Sequence, residues 1–277
     1  MDSLLLADVG GTYLRYRLGS GEAVRSAAKG WEEQLIGVIA THSQIRRVAI
    51  AFAGQVSQGQ IRSAPNVPLA GGDFPAELRR RFPYLQIAIE NDLKCAALAY
   101  QHHLGSDSIA VLYAGSGIGS AVISEGRIVR GSQNLAGEIG HIRYRNAPFS
   151  CGCGKTDCLE LFGSGSGIEK HRHFFQLGAG TPDVWLTAGS PKEREVAAEI
   201  VEALAFAASL MITLYNPSYL VIGGGIFEHN PRVRDHVKER AASGTFPPAW
   251  KGCRLVDGDL SDAPLVGAGL LFGGQLG

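Results

Sequence analysis

Apolar and polar positions alternate along the chain in short blocks. "LLLADV" is apolar up to Asp8 and stops at Gly10-Gly11. "TYLRYRL" then sets Leu14, Tyr16 and Leu18 against Tyr13, Arg15 and Arg17, a period of two that predicts a strand. The unit is strand, glycine turn, strand. The pattern returns 105 residues later in "LYAGSGIGSAVISEGRIVRG" (112–131), where Gly10 falls on Gly115, Gly21 on Gly126 and Val24 on Val129. Glu125-Gly126 marks the next hairpin turn. Two similar halves, each with a glycine turn, are suited to gripping one polyphosphate between them.

Other blocks fit an α/β layout. "RVAIAFAG" (47–54) and "LQIAIEND" (85–92) read as buried strands ending in polar or glycine residues, and "PAELRRRF" (75–82) as a helix with Pro75 in its first turn. "EREVAAEIVEALAFAASLMITLY" (193–215) places Val196, Ile200, Leu204 and Met211 on one helical face and ends at Asn216-Pro217. "YLVIGGGIF" (219–227) is a strand running into Gly223, Gly224 and Gly225, and "FEHNPRVRDHVKER" is one further helix. With no low-complexity linker, a hinge is placed near "GSDS" (105–108). The division expected is an N-terminal lobe of 1–107, with a C-terminal helix at about 263–277 packing back onto it, and a second lobe of 108–262.

The 26 basic residues balance the 26 acidic ones, which leaves no electrostatic footprint for nucleic acid or an anionic membrane. The basic cluster "LRRRF" (78–82) reads as a solvated helix face. "MDSLLLADVGG" lacks a signal peptide's basic region, and the apolar stretch at 203–215 is too short to span a bilayer comfortably. A cytoplasmic chain is expected. In a reducing compartment, clustered cysteines are more often metal ligands than disulfides.

That cluster is "CGCGKTDCLE". Cys151, Cys153 and Cys158 fall within eight positions, whereas Cys95 and Cys253 stand alone as ordinary thiols. A C-x-C-x4-C run needs one more ligand to close a tetrahedral zinc site. His141 lies ten residues upstream, and His171 and His173 compete for the role from the other side. Such a site has no open position, so its zinc is structural.

Two more constellations carry chemistry. Asp8 and Thr12 flank the first glycine turn, where backbone N–H groups can approach phosphate oxygens and a carboxylate can hold magnesium. A plain hairpin with a Gly-Gly turn is the alternative. In "IAIENDLKCAALAY" (87–100), Asp92 reads either as a helix N-cap or as a general base at the carboxyl end of a buried strand.

Taken together, these stretches resemble the ROK family of bacterial sugar kinases, of the bacterial glucokinase and N-acetylhexosamine kinase type. "DVGGT…R" looks like its first phosphate motif, "GSGIG" its second, "YLVIGGGIF" its adenosine-side segment, and "GEIGH" followed by "CGCGKTDCLE" its signature and zinc clip. The resemblance implies an α/β, two-lobed, actin-like ATPase (ribonuclease H-like) fold with a structural zinc loop. By position, Asp92 matches the catalytic base, and Asn66, Asn91, Asp92, Glu138, His141 and Glu160 match the sugar contacts. Asp8, Gly10, Gly11, Thr12, Gly115, Ser116, Gly117, Gly223, Gly224 and Gly225 match the nucleotide site. His141, Cys151, Cys153 and Cys158 match the zinc ligands. The chain departs from the family pattern at Leu93 and Lys94 after "END", at Ser116 and at Ala121, and it is somewhat short.

The activity the resemblance implies is transfer of a phosphoryl group from Mg-ATP to the 6-hydroxyl of a hexose or N-acetylhexosamine, by a homodimer. The rival is a non-catalytic, sugar-binding regulatory protein of the same family. Family members of that kind that bind DNA carry an N-terminal helix-turn-helix, which the arrival of the first turn at residue 8 argues against. Polyphosphate-dependent relatives tend to lack the zinc clip.

Overall fold

In a computed structural model, residues 3–64, 66–260 and 262–273 are described. The first half of the chain forms β1 (Leu4–Val9), β2 (Tyr13–Leu18), β3 (Val24–Ala27), α1 (Trp31–Thr41), β4 (Arg47–Phe52), β5 (Gln55–Ser57), β6 (Gln60–Ser63), α2 (Phe74–Arg81), β7 (Gln86–Asn91) and α3 (Asp92–Leu104). The second half forms β8 (Ile109–Ala114), β9 (Ile118–Ser124), β10 (Arg127–Ile128), α4 (Glu160–Gly163), α5 (Gly165–Phe174), α6 (Pro182–Ala188), α7 (Pro191–Tyr215), β11 (Tyr219–Gly223), α8 (Gly225–His229), α9 (Pro231–Gly244), α10 (Pro247–Gly252), β12 (Arg254–Asp257) and α11 (Ala263–Gly269).

These elements build two five-stranded sheets of the same design. One has the order β3-β2-β1-β4-β7, the other β10-β9-β8-β11-β12. In each, the first three strands in sequence pair antiparallel and the next two add parallel to them. The repeat seen in the sequence at Gly10 and Gly115 is therefore the hairpin loop of each sheet. Parallel strands are buried on both faces, which is why β4 and β8 read as nearly continuous apolar runs.

Contacts divide the chain into two compact units. The first takes the residues up to Gly105, Arg130–Ala136, and the segment from Leu260 onward; the second takes Ser106–Val129 and Gly137–Asp259. The expected boundary at 107/108 ran without interruption, whereas here 130–136 belongs with the first unit. Side-chain chemistry explains this. Asn134 donates to the Val56 carbonyl (2.6 Å) and to Glu90 (2.7 Å), and Arg130 donates to Glu90 (2.9 Å).

The first unit buries Leu5, Val9, Trp31, Leu35, Val48, Ile50 and Phe52 on one side of its sheet. On the other side, α11 packs on α3 and β1 through Leu6, Cys95, Leu265 and Ala268. Gly267 is needed there, because a Cβ on it would stand 1.7 Å from the Cys95 carbonyl oxygen. The expected C-terminal helix ends earlier than 277: α11 passes into a 3-10 turn at Leu270–Phe272, and 274–277 lie outside the described residues. α2 buries Phe74 and Leu78 and leaves Arg79, Arg80 and Arg81 exposed, a solvated face.

In the second unit α7 is the core helix. It starts two residues before the expected 193, with Ser190 and Glu193 forming a capping box around Pro191, and it stops at Asn216 in the left-handed region. Ile200, Leu204, Ala208, Met211 and Ile212 are buried. By length and composition alone this helix is apolar enough to cross a membrane, but its apolar face packs into the core of this unit. The single helix expected from "FEHNPRVRDHVKER" is two, α8 and α9, broken at Asn230-Pro231. Proline has no N–H and forces the residue before it out of helical geometry.

Candidate active site and metal centre

At the first glycine turn, the antiparallel register sets Asp8 opposite Arg15 and Val9 opposite Leu14, leaving Gly10–Tyr13 as the loop. Gly10 N–H donates to the Tyr13 carbonyl (3.0 Å). Gly11 lies against Asn66: a Cβ on it would stand 2.4 Å from the Asn66 carbonyl oxygen, so only glycine fits. Thr12 is exposed. Asp8 is buried, and its carboxylate accepts from Arg15 Nε (3.0 Å) and makes a second contact with the same guanidinium. Arg15 also pairs with Asp262 at 2.5 Å. Burial raises the Asp8 pKa above its ordinary value, and Arg15 offsets only part of the rise. The sequence carries Arg15 only as the arginine of the "DVGGT…R" motif, with no site role of its own, although counting across the turn pairs positions 8 and 15.

β7 delivers Glu90, Asn91 and Asp92 to the start of α3. Asn91, not Asp92, is the N-cap: its Oδ1 accepts from the backbone N–H groups of Leu93 (3.1 Å) and Lys94 (3.2 Å). Asp92 is the first helical residue, and its Oδ1 accepts from Leu93 N–H (2.9 Å) and Asn91 Nδ2 (3.0 Å). Asn91 Nδ2 also reaches the Gly54 carbonyl (3.2 Å). The amide thus caps the helix and leaves the neighbouring carboxylate to be oriented by it. Buried Lys94 donates to the backbone carbonyl (2.6 Å) and side-chain oxygen (2.9 Å) of Asn134, whose φ of 61° is left-handed. Sequence reasoning singled out Lys94 but had no signal for Asn134 or Glu90, because the partners lie some 40 positions apart.

In the second unit, the second glycine turn packs on the start of α5, with Gly165 N–H donating to the Gly115 carbonyl (2.7 Å) and Ser166 N–H to the Ser116 carbonyl (3.1 Å). Glu160 opens α4 and points at the same turn. One of its oxygens accepts from Ile118 N–H (3.2 Å), and the other lies 3.5 Å from the Cys151 sulfur. A Cβ on Gly117 would stand 2.7 Å from that carboxylate. Glu160 therefore connects the second glycine turn to the cysteine loop. Glu138 is exposed and precedes the 3-10 turn Ile139–His141 that presents the histidine ring. At the carboxyl end of β11, Gly224 has φ 92° and lies so near Ala114 that a Cβ would meet its carbonyl oxygen at 2.7 Å. Gly223 and Gly225 flank it against the ends of β11 and α8.

The ligand atoms of His141, Cys151, Cys153 and Cys158 all lie within 4.8 Å of one another. His141 Nδ1 is 3.6 Å from the Cys151 sulfur, and the Cys153 and Cys158 sulfurs are 3.4 Å apart. Tetrahedral zinc with bonds of about 2.0–2.3 Å holds its ligands roughly 3.3–3.8 Å apart, so this donor set fits zinc. Nδ1 faces the sulfurs, which leaves Nε2 as the outward nitrogen. Burial pushes the Cys158 thiol up to about 12 and raises Cys151, while the Lys155 backbone N–H lowers Cys153. The competition among histidines is settled by packing. His171 is buried among Phe149, Phe162 and Phe175, and His173 is exposed.

Known proteins share this architecture. Over 97% of each chain, the structure superposes on a ROK hexokinase from Thermus thermophilus with a TM-score of 0.81 at 24% identity. A ROK family glucokinase from Streptomyces griseus, solved with glucose and AMPPNP, gives 0.71 at 22% identity over 96% of this chain and 97% of that one. A ROK family transcriptional regulator, a homolog of the E. coli MLC protein, gives 0.78 at 21% over 97% of this chain and 78% of that one. Likenesses at this identity establish the fold, which is the actin-like ATPase fold of these structures. In sequence, the chain is 34% identical over 182 residues to an N-acetyl-D-glucosamine kinase of Vibrio vulnificus, 58% of each chain. It is 30% identical over 198 residues to the enzyme of the same name from Pectobacterium carotovorum, 65% of each. The match thus spans about three fifths of the length of these curated relatives. A model of the ROK family matches residues 30–274, from the start of α1 through the whole second sheet and the cysteine loop, and the chain belongs to the ROK family.

Proposed function

We propose that this protein is a kinase that transfers the γ-phosphoryl group of Mg-ATP to the 6-hydroxyl of a hexose or N-acetylhexosamine. The observation that carries the reading is the Asn91–Asp92 pair at the carboxyl end of β7, where the amide both caps α3 and donates to the carboxylate. In this reading Asp92 accepts the proton of the attacking hydroxyl, which suits a carboxylate fixed at a strand end. Asn66, Asn91, Glu138, His141 through its outward nitrogen, and Glu160 bind the sugar hydroxyls. Asp8, Gly10, Gly11, Thr12, Gly115, Ser116 and Gly117 bind the phosphates, and Gly223, Gly224 and Gly225 the adenosine. Asp8 would hold magnesium, which when bound would neutralise charge on the transferring group. Zinc has no part in the chemical step; His141, Cys151, Cys153 and Cys158 hold it, and it fixes the loop that carries His141 and precedes Glu160. The names of the N-acetylglucosamine kinases and of the glucokinase solved with glucose and AMPPNP support both the sugar class and the donor. The protein acts as a cytoplasmic homodimer.

The test is ADP release from Mg-ATP across a panel of hexoses and N-acetylhexosamines, with wild type and Asp92→Asn. Asparagine keeps an Oδ1 acceptor for the Leu93 N–H, so the fold and sugar binding should persist while turnover falls by roughly 10²–10⁴. Full activity in Asp92→Asn would remove the base assignment. Sugar binding by wild type without any ADP release would make the chain a sugar-binding regulator instead.

A further inference from the structure

The cavity beside the first glycine turn, about 600 Å³, is lined by Asp8, Tyr13, Arg15, Arg25 and Asp262 together with the turn itself. Its charges are unevenly committed. The β2–β3 register sets Arg15 directly opposite Arg25, and like charges facing each other across strands are destabilising unless compensated. Arg15 is compensated twice, by Asp8 at 3.0 Å and by Asp262 at 2.5 Å. Arg25 is not: among the described residues it has no carboxylate partner. Its guanidinium instead lies 3.6 Å from the centroid of the Tyr13 ring, and both side chains are exposed. Arg25 is thus the guanidinium of this cavity that has no carboxylate partner among the described residues, while Arg15 is taken up by Asp8 and Asp262.

We propose that Arg25, held over Tyr13, is the cation that binds the phosphate chain of the nucleotide donor at the Gly10–Gly11 turn. This rests on the kinase reading above and adds a residue to it. Stacking a guanidinium on an aromatic face leaves its N–H edge free to match phosphate oxygens two at a time. The ring also limits the rotamers that the long arginine side chain would otherwise lose on binding. Tyr13 is then a positioning residue, acting through Arg25.

The experiment is calorimetric titration of magnesium with AMPPNP, and separately of adenosine, into wild type, Arg25→Gln, Arg25→Lys and Tyr13→Ala. Arg25→Gln is expected to weaken AMPPNP about 10- to 100-fold, the range for losing a hydrogen bond to a charged group, with adenosine affinity unchanged. Arg25→Lys recovers part of the loss, since a point charge replaces the fork, and Tyr13→Ala costs about 2- to 5-fold. Thermal melting of each variant checks that the fold is intact. Equal AMPPNP affinity in wild type and Arg25→Gln overturns the proposal. So does an equal loss for adenosine, which would point to a general structural effect. If AMPPNP binds and Arg25→Gln loses it, yet no sugar supports turnover, the arginine contact stands and the kinase reading falls. No nucleotide binding by wild type overturns both.

Discussion

Replacing Lys94 with methionine removes the buried ammonium that holds the 130–136 segment to the first unit. The side chain is 3% exposed and donates at 2.6 and 2.9 Å to two oxygens of Asn134. A hydrogen bond to a charged group is worth about 1.5–3 kcal/mol net, and an acceptor left buried without a donor costs about 1–3 kcal/mol. Methionine refills most of the volume of the lysine stem, so packing losses are small. The expected destabilisation is therefore about 3 kcal/mol, or roughly 10 °C in melting temperature for a unit of this size. A double-mutant cycle isolates the interaction: Lys94→Met, Asn134→Ala and the double variant are unfolded in urea and followed by circular dichroism. A coupling of about 1–3 kcal/mol is expected for residues in one buried network. Additivity to within about 0.5 kcal/mol, or a loss below about 1 kcal/mol for Lys94→Met alone, would refute the reasoning.

The cysteine loop should bind close to one zinc per chain by elemental analysis, and Cys158→Ser or a strong chelator should release it with a fall in melting temperature. Zinc uptake by metal-free protein should release protons, measurable in weakly buffered solution, because the buried Cys151 and Cys158 thiols otherwise keep theirs. His171 gives a pH dependence of known sign. Burial lowers its pKa below 6.5, and the Leu161 backbone offsets only part of this. The unfolded chain therefore binds the extra proton first, and stability present above pH 6.5 is lost as pH falls towards the folded-state value, by at most about 1.4 kcal/mol per pH unit. Urea unfolding of wild type and His171→Phe at pH 7.5 and 5.5 checks this; an unchanged pH dependence in the variant would refute it. Gly267→Ala forces a Cβ into the Cys95 carbonyl oxygen and should lower the unfolding midpoint by more than an exposed Gly→Ala change such as Gly252→Ala, where nothing lies within 4 Å.

What the sequence determined by itself was local. Strand periodicity in 13–18, the glycine turns at 10–11 and 115–117, the apolar face of α7 and the density of cysteines at 151–158 are all carried by residues within one or two turns of one another. Backbone geometry and ligand spacing act over that range, and the duplicated sheet follows from the duplicated pattern. The tertiary structure decided what depends on residues far apart in the chain. It brought His141 to the three cysteine sulfurs and buried His171 among phenylalanines instead. It gave the α3 cap to Asn91 and joined 130–136 to the first unit through Lys94, Asn134 and Glu90. It also turned Glu160 towards Ile118, 42 positions away. Such contacts have no period to read. Whether a buried charge finds its partner is fixed only when the sheets and helices close around both, and the cost of leaving it unpaired then selects the geometry that pairs it.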